Sequence, residues 1–282
     1  MKLHKVGAEL YIPDGLNEAL ALKRTTSLGI AAHQDDLEIM AYDGILKAFG
    51  REDAWFTGVV VTNGQGSPQN DFYTAYDDQQ IVEIRKKEQK KAALIGEYAA
   101  QFLLDYSSVE LKEQENLELE ADLRSIILAT KPQVIYTHNP ADKHETHVAT
   151  MIKVIKILRT IPPVDQPQAV YGCEVWRDLD WLLDQEKVIF NLEGHENLAQ
   201  ALLGIFDSQI SSGKRYDLAI MGRRRANATF NAATRPDTTT ALGYAMDLTP
   251  LIYNPILSIA EYTTRFIQAF ATEVAGVINK FS

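Results

Sequence analysis

The run Phe56–Thr62 (FTGVVVT) constrains the fold of this chain most. Three consecutive valines with no polar alternation leave no face for water. Such a segment fits a strand covered on both sides, as in a parallel sheet between helical layers. A similar apolar run, Thr26–Ala32 (TSLGIAA), precedes it, and Phe102–Tyr106 and Val134–Thr137 (VIYT) follow. Helical patterns separate these runs. Ile39, Met40, Ile45, Leu46 and Phe49 share one face, Gln79–Gln101 reads as a long charged helix, and Leu117–Thr130 ends before Pro132. His144–Leu158 completes the series. Strand–helix alternation implies parallel strands with right-handed crossovers. The expected fold is α/β: a Rossmann-like, doubly wound, mostly parallel sheet with helices on both faces.

The second half is less regular. Pro162, Pro163 and Pro167 mark a break, Tyr171–Trp176 and Val188–Asn191 read as strands, and helices are expected near Asn197–Ser211 and at the C-terminus. Ser258 and Glu261 have capping-box spacing. Ile259, Tyr262, Phe266, Phe270, Val274, Val277 and Phe281 then form an apolar stripe. Glu261, Arg265, Glu273 and Lys280 keep that helix out of a bilayer core, so it is expected to pack on the domain or on a partner, which makes a homo-oligomer an open expectation. No linker is evident. The 282 residues are therefore read as one domain, with a core at about 25–160, a divergent part at about 161–282 and a C-terminal extension.

Charge and cysteine count exclude several classes. With 28 Lys+Arg against 38 Asp+Glu the formal charge is −10, which argues against nucleic-acid binding. No stretch approaches about 18 uninterrupted apolar residues, so no transmembrane segment is expected. Cys173 is the only cysteine, which excludes an internal disulfide and thiolate metal clusters; alone in an apolar strand, it reads as a small core residue. No signal-type apolar run precedes Glu9 and Asp14, so a cytoplasmic protein is expected.

Ligand sites in open α/β sheets lie at the carboxyl ends of strands. Two polar clusters sit at such ends, and four of the six histidines fall in them. His33-Gln34-Asp35-Asp36 follows the first strand. His33 and Asp36 are three apart and share one side of a turn, and imidazole plus carboxylate is a zinc ligand set. The same residues also read as an acidic helix N-cap. The second cluster, His138–His147 (HNPADKHETH), follows the Val134–Thr137 strand. His144 and His147 are again three apart, so one can complete a metal site while the other faces a substrate; Asp142 precedes them. His138 ends a strand close by and is given no ligand role.

In order and spacing these clusters resemble the PIG-L/LmbE family of zinc-dependent N-acetylglucosamine deacetylases. His33-Gln34-Asp35-Asp36 is similar to its first motif, A-H-P-D-D-E, and Asp142–His147 to its second, roughly D-x-H-P-D-H. Between them, Val61–Ser67 is similar to the strand-end loop T-x-G-x-x-G. Arg85–Glu88 with Ala92–Gly96 is similar to the helix R-x-x-E…A-x-x-L-G. The resemblance implies His33, Asp36 and His147 as zinc ligands and Asp35 as general base. It implies His144 as oxyanion donor or leaving-group acid and Arg85 as a substrate contact. Four departures stand out: Gln34 for Pro, Leu37 for Glu, and Glu145-Thr146 for Pro-Asp. That Asp supports a histidine ligand in the family, and neutral Thr146 supplies less basicity.

Amide hydrolysis agrees with such a set. Three protein ligands leave one position for water, whose pKa falls to about 7. Asp35 adjoins a ligand without being one and can take the proton, a cationic His144 can donate to the oxyanion, and Asp142 can orient His144. His₂Asp also accepts Fe²⁺, Co²⁺ or Mn²⁺. Other signals are weaker. The glycines of a dinucleotide loop are missing, Gln69 standing at the third of them, and neither a P-loop nor a G-x-S-x-G elbow is present. Arg223-Arg224-Arg225 reads as a solvated face. Trp176, Arg177 and Trp181 read either as a sugar-stacking wall or as core. The expected activity is removal of an N-acetyl group from an N-acetylglucosamine-type small glycoside, glycolipid head group or oligosaccharide, with specificity carried by loop 63–78 and the second half. The alternatives are an amidase taking a larger acyl group and a non-catalytic metal- or sugar-binding protein.

Overall fold

A computed structural model describes residues 1–66 and 71–282. The described residues form a sheet of eight strands: β1 (Glu9–Tyr11), β2 (Ser27–Ala31), β3 (Phe56–Thr62), β4 (Ala100–Tyr106), β5 (Val134–His138), β6 (Ala169–Cys173), β7 (Lys187–Asn191) and β8 (Leu242–Asp247). Their spatial order is β1-β4-β3-β2-β5-β6-β8-β7. The five central strands β4-β3-β2-β5-β6 are parallel, and the outer pairings β1–β4, β6–β8 and β8–β7 are antiparallel. The sheet is therefore the mostly parallel one expected.

All seven residues of β3 are buried, which is why its apolar run is unbroken. Alternate β3 residues feed two cores. Val59 and Val61 join one with the helices Leu117–Thr130 and Glu145–Leu158, whereas Phe56 and Val60 join the other with residues 37–48 and the helix Asp78–Ile95. Helices thus cover both faces. Leu37, which stands where the resembled motif has glutamate, fills the second core. Its side chain occupies the space that a Cβ at Gly29 or Gly58 would need.

Successive strands run outward from β2 to β3 and β4, and the chain then returns to place β5 on the other side of β2. The carboxyl ends of β2 and β5 flank this switch point, where such sheets bind ligands. Both polar clusters leave the sheet there.

Several boundaries differ from expectation. The helix read as Gln79–Gln101 stops at Ile95. Gly96 caps it, Glu97 turns with φ 53°, and Ala100-Gln101 belong to β4. The helix near Asn197–Ser211 is two, Glu196–Gly204 and Asp207–Ile210. Strand β8 and the helix Tyr216–Phe230 are additional. Ser258 caps the helix Ile259–Phe281 by accepting the Glu261 N–H at 3.3 Å. Among the described residues no helix is long and apolar enough to cross a membrane.

Candidate metal centre

β2 ends at Ala31, and the chain turns at once into the short helix Asp36–Met40. The turn is made by Asp35, whose φ of 80° lies in the left-handed region that costs a non-glycine residue roughly 1–2 kcal/mol. Although Asp35 stands at the helix N-cap, its side chain makes no capping bond. The N-cap reading of this cluster therefore does not describe its carboxylate, which lines a cleft instead. Asp36 folds back and accepts the His33 N–H at 2.8 Å. On the other side of the switch point, His144 is the N-cap residue of the helix Glu145–Leu158, which brings His147 inward, fully buried.

Three of the expected residues meet there. His33 Nδ1, Asp36 Oδ2 and His147 Nε2 form a nearly equilateral triangle with edges of 3.2, 3.3 and 3.1 Å. Tetrahedral donors about 2.0–2.1 Å from a cation stand about 3.3–3.4 Å apart, so the triangle fits one face of such a shell. Charge fits as well. Burial pushes the Asp36 carboxyl up, but His147 and His138 beside it outweigh that and hold it well below the usual range. Burial lowers His147, yet Asp36 and Asp142 raise it to about 9. Positive charge is thus favoured where the donors converge.

His138 stacks on His147 with ring centroids 3.9 Å apart. Its Nε2 accepts the Ala32 N–H at 2.9 Å, so that lone pair is already used. His138 supports the ring of His147 and leaves the donor triangle to the other three. His144 brings a ring nitrogen within 4.8 Å of those of His33 and His147 and lines the cleft. Burial, with His33 and His147 nearby, lowers His144 to about 4, so it is neutral near pH 7 and not the expected cation.

Asp142 also differs from expectation. It accepts the backbone N–H of His144 at 2.9 Å, but the imidazole its carboxylate faces is that of His147, at 3.4 Å from Nδ1. Its other oxygen accepts the Trp176 N–H at 3.1 Å. A carboxylate partner for the histidine is therefore present despite Thr146.

The cleft beside the triangle is open to solvent. Asp35 lies on its floor with Arg85. Burial and the neighbouring Asp36 push the Asp35 carboxyl well up, and Arg85 opposes them. Arg85 donates to the Gly64 carbonyl at 2.6 Å. Gly64 has φ 77°, and a Cβ there would stand 2.5 Å from Gln34 Oε1, so the position requires glycine. Gln34, where the family has proline, donates to the Thr62 carbonyl at 3.0 Å and ties the ends of β2 and β3 together. The loop expected to carry specificity runs over 63–78, and its residues 67–70 lie outside the described residues.

The far wall comes from the second half. Trp176, Gln209, Lys214 and Tyr216 line it, and of these only Trp176 carried a sequence signal. Trp181 instead packs against the core. The Arg223–Arg225 run is not a solvated face. Arg224 is buried over the Tyr42 ring and donates to the carbonyls of Glu38 and Ile39, which end the Asp36–Met40 helix. Arg223 donates to the carbonyl of Val175, next to Trp176. Arg225 pairs with Glu196. Cys173 is buried, as expected.

Residues 28–158 match the family model PIG-L, GlcNAc-PI de-N-acetylase. No curated protein sequence matches the chain at a significant level. Among solved structures it is similar to the 4-carboxy-2-hydroxymuconate hydratase of Pseudomonas putida KT2440, with 15 % identity and a TM-score of 0.62 over 79 % of this chain and 96 % of that one. It is similar to the N,N'-diacetylchitobiose deacetylase of Pyrococcus horikoshii, with 16 % identity and a TM-score of 0.61 over 82 % and 86 %. It is also similar to a zinc-inhibited form of a teicoplanin deacetylase, with 16 % identity and a TM-score of 0.56 over 79 % and 98 %. At these identities the likeness shows the fold. A hydratase and deacetylases share it, so the fold alone does not choose the reaction.

Proposed function

We propose that this chain, PIG-L/LmbE-like over residues 28–158, is a metal-dependent hydrolase that removes an N-acetyl group from an N-acetylglucosamine-type substrate. The observation that carries the proposal is the triangle of His33, Asp36 and His147 with the Asp35 carboxylate beside it in an open cleft. We assign His33, Asp36 and His147 as metal ligands, Asp35 and His144 as catalytic residues, Arg85 as a substrate contact and Asp142 as the support of His147.

A divalent cation at the triangle, for which zinc is our first choice, would polarise the acyl carbonyl and acidify a water to a pKa of about 7. Asp35 takes the proton of the attacking water. Its raised pKa makes it a better acceptor than an ordinary aspartate and lets it return the proton to the leaving amine. His144, neutral, donates an N–H to the developing oxyanion across the cleft. Arg85 opposes the upward push on the Asp35 carboxyl and donates to the Gly64 carbonyl at the cleft edge. Trp176 offers an aromatic face for the sugar ring.

We further read the chain as a single domain, supported by its one eight-stranded sheet, and as cytoplasmic, supported by the lone cysteine. One relative is described as zinc-inhibited, so Co²⁺, Mn²⁺ and Fe²⁺ are compared with Zn²⁺. The test is acetate release from free N-acetylglucosamine, a glycoside, a chito-oligosaccharide and an inositol conjugate, with N-butyryl analogues alongside. Metal-dependent acetate release supports the proposal. Release from the butyryl analogues alone would assign a larger acyl group, and metal binding without any release would leave a binding protein.

A further inference from the structure

The helix Ile259–Phe281 differs from the other long helices in how little of its apolar stripe is covered. Tyr262 and Phe266 are buried, and Tyr262 donates its hydroxyl to the Asp247 carbonyl at the end of β8, at 2.6 Å. From Ile267 to Phe281 every residue except Ala269 is exposed. Ile267, Phe270, Val274, Val277, Ile278 and Phe281 are between 39 and 80 % exposed. Single exposed apolar residues are ordinary, but six on one helical face form a continuous patch.

Three features say what covers it. The first is pattern. The exposed part of the stripe runs from Ile267 to Phe281 and has Val274 at its midpoint. Turned about a two-fold axis at Val274, it falls on itself: Ile267 meets Phe281, Phe270 meets Ile278, Ala271 meets Val277, and Val274 meets Val274. The second is area. At roughly 150–200 Å² per large apolar residue, six partly exposed ones present about 500–600 Å². Two copies together would remove about 1,000–1,200 Å² from water, which reaches the lower end of specific interfaces. The third is charge. Glu273 and Lys280 are the only charged side chains from Ile267 onward, and the protein carries −10 overall. A helix lying on an anionic bilayer needs a row of Lys and Arg that this one lacks.

We infer that this face is a homodimer interface, in which the helices of two copies pair antiparallel about a two-fold axis at Val274. The paired arms are about 22 Å long at 1.5 Å per residue. The interface is separate from the metal centre and stands or falls independently of the proposed reaction.

The test uses the full chain. Sedimentation equilibrium is expected to give a dimer at micromolar concentration. Val274→Asp sets two carboxylates against each other at the axis and is expected to weaken dimerisation at least about 100-fold, with far-UV circular dichroism and metal binding unchanged. Cysteine scanning reads the register, since Cys173 is buried and out of reach. Val274→Cys is expected to cross-link to its own copy. Ile267→Cys alone is not, whereas Ile267→Cys combined with Phe281→Cys is. A monomeric parent would overturn the inference. So would a dimer indifferent to Val274→Asp, or cross-linking of Ile267→Cys alone, which marks parallel helices. Flotation of a monomer with phosphatidylcholine–phosphatidylserine vesicles, lost on Val274→Asp, would assign the face to a membrane instead.

Discussion

Replacing Asp142 by Asn keeps the shape of the side chain and removes one charge. Both partners in the Asp142–His147 pair have fully buried side chains, so solvent does not screen the loss. The asparagine oxygen can still accept on one side, from the His144 N–H or from the Trp176 and Arg177 N–H groups, which now divide between the two carboxylate oxygens. What disappears is the carboxylate that, with Asp36, raises His147 to about 9 against the effect of burial. Loss of such an outer partner of a ligating histidine weakens metal binding about 10- to 100-fold. That corresponds to about 1.4–2.7 kcal/mol. Competition with a fluorescent zinc chelator measures it, and thermal melting of the metal-free protein separates it from a loss of folding. Thr146→Asp is the companion variant. If Asp142 already supplies the basicity that Thr146 lacks, Thr146→Asp brings no gain in affinity and buries a second carboxylate. An Asp142→Asn variant that binds zinc within twofold of the parent would refute the assignment of Asp142 to His147.

Three further outcomes are expected. Trp176→Ala removes an aromatic wall of the cleft and is expected to raise KM about 2- to 10-fold with kcat nearly constant, measured by steady-state acetate release. Arg224→Met removes charged donors from the carbonyls that end the Asp36–Met40 helix. It is expected to cost about 1.5–3 kcal/mol, seen as a melting temperature lower by several degrees, and an unchanged melt would contradict that role. Burial opposes ionisation of Glu120, but Lys156 and Lys153 hold its carboxyl below the ordinary value. Its contribution is therefore present above the unfolded-state pKa and lost as pH falls through the folded one, so Glu120→Gln should flatten the acid side of the stability–pH curve.

Legibility followed how locally each feature is determined. β3 was legible to the residue because two-sided burial leaves a run that nothing else produces. The start of β4 was not. Ala99, Ala100 and Gln101 continue the composition of the preceding helix, and Gln101 is wholly buried in the sheet, where a sequence reading expects an apolar residue. β8 pairs antiparallel with β6 and β7, across large gaps in the chain, and its six residues follow a polar loop. The helix Tyr216–Phe230 was obscured because three successive arginines suggest water, whereas Arg224 finds its partners 186 and 185 positions away in Glu38 and Ile39.

The candidate site divides in the same way. The donor residues cluster at two strand ends, so spacing and motif order exposed them. Which imidazole Asp142 faces depends on how the loop between β5 and the next helix folds, and spacing does not specify that. The neutral state of His144 follows from burial beside two other imidazoles, a tertiary property. Gln209, Lys214 and Tyr216 reach the cleft from a region without a motif, and only the packing of the second half against the first brings them there.

The central claim is that Asp35 moves the proton in a reaction whose metal is held by its neighbours. Asparagine tolerates the left-handed backbone of this position, so Asp35→Asn preserves the turn. Acetate release and bound metal are measured together on the parent and on Asp35→Asn, each metal-loaded and chelated. Equal metal content is expected, with a rate lower by about 10²- to 10⁴-fold for Asp35→Asn and no release from either chelated protein. Equal rates with equal metal content would contradict the claim, as would acetate release that survives chelation.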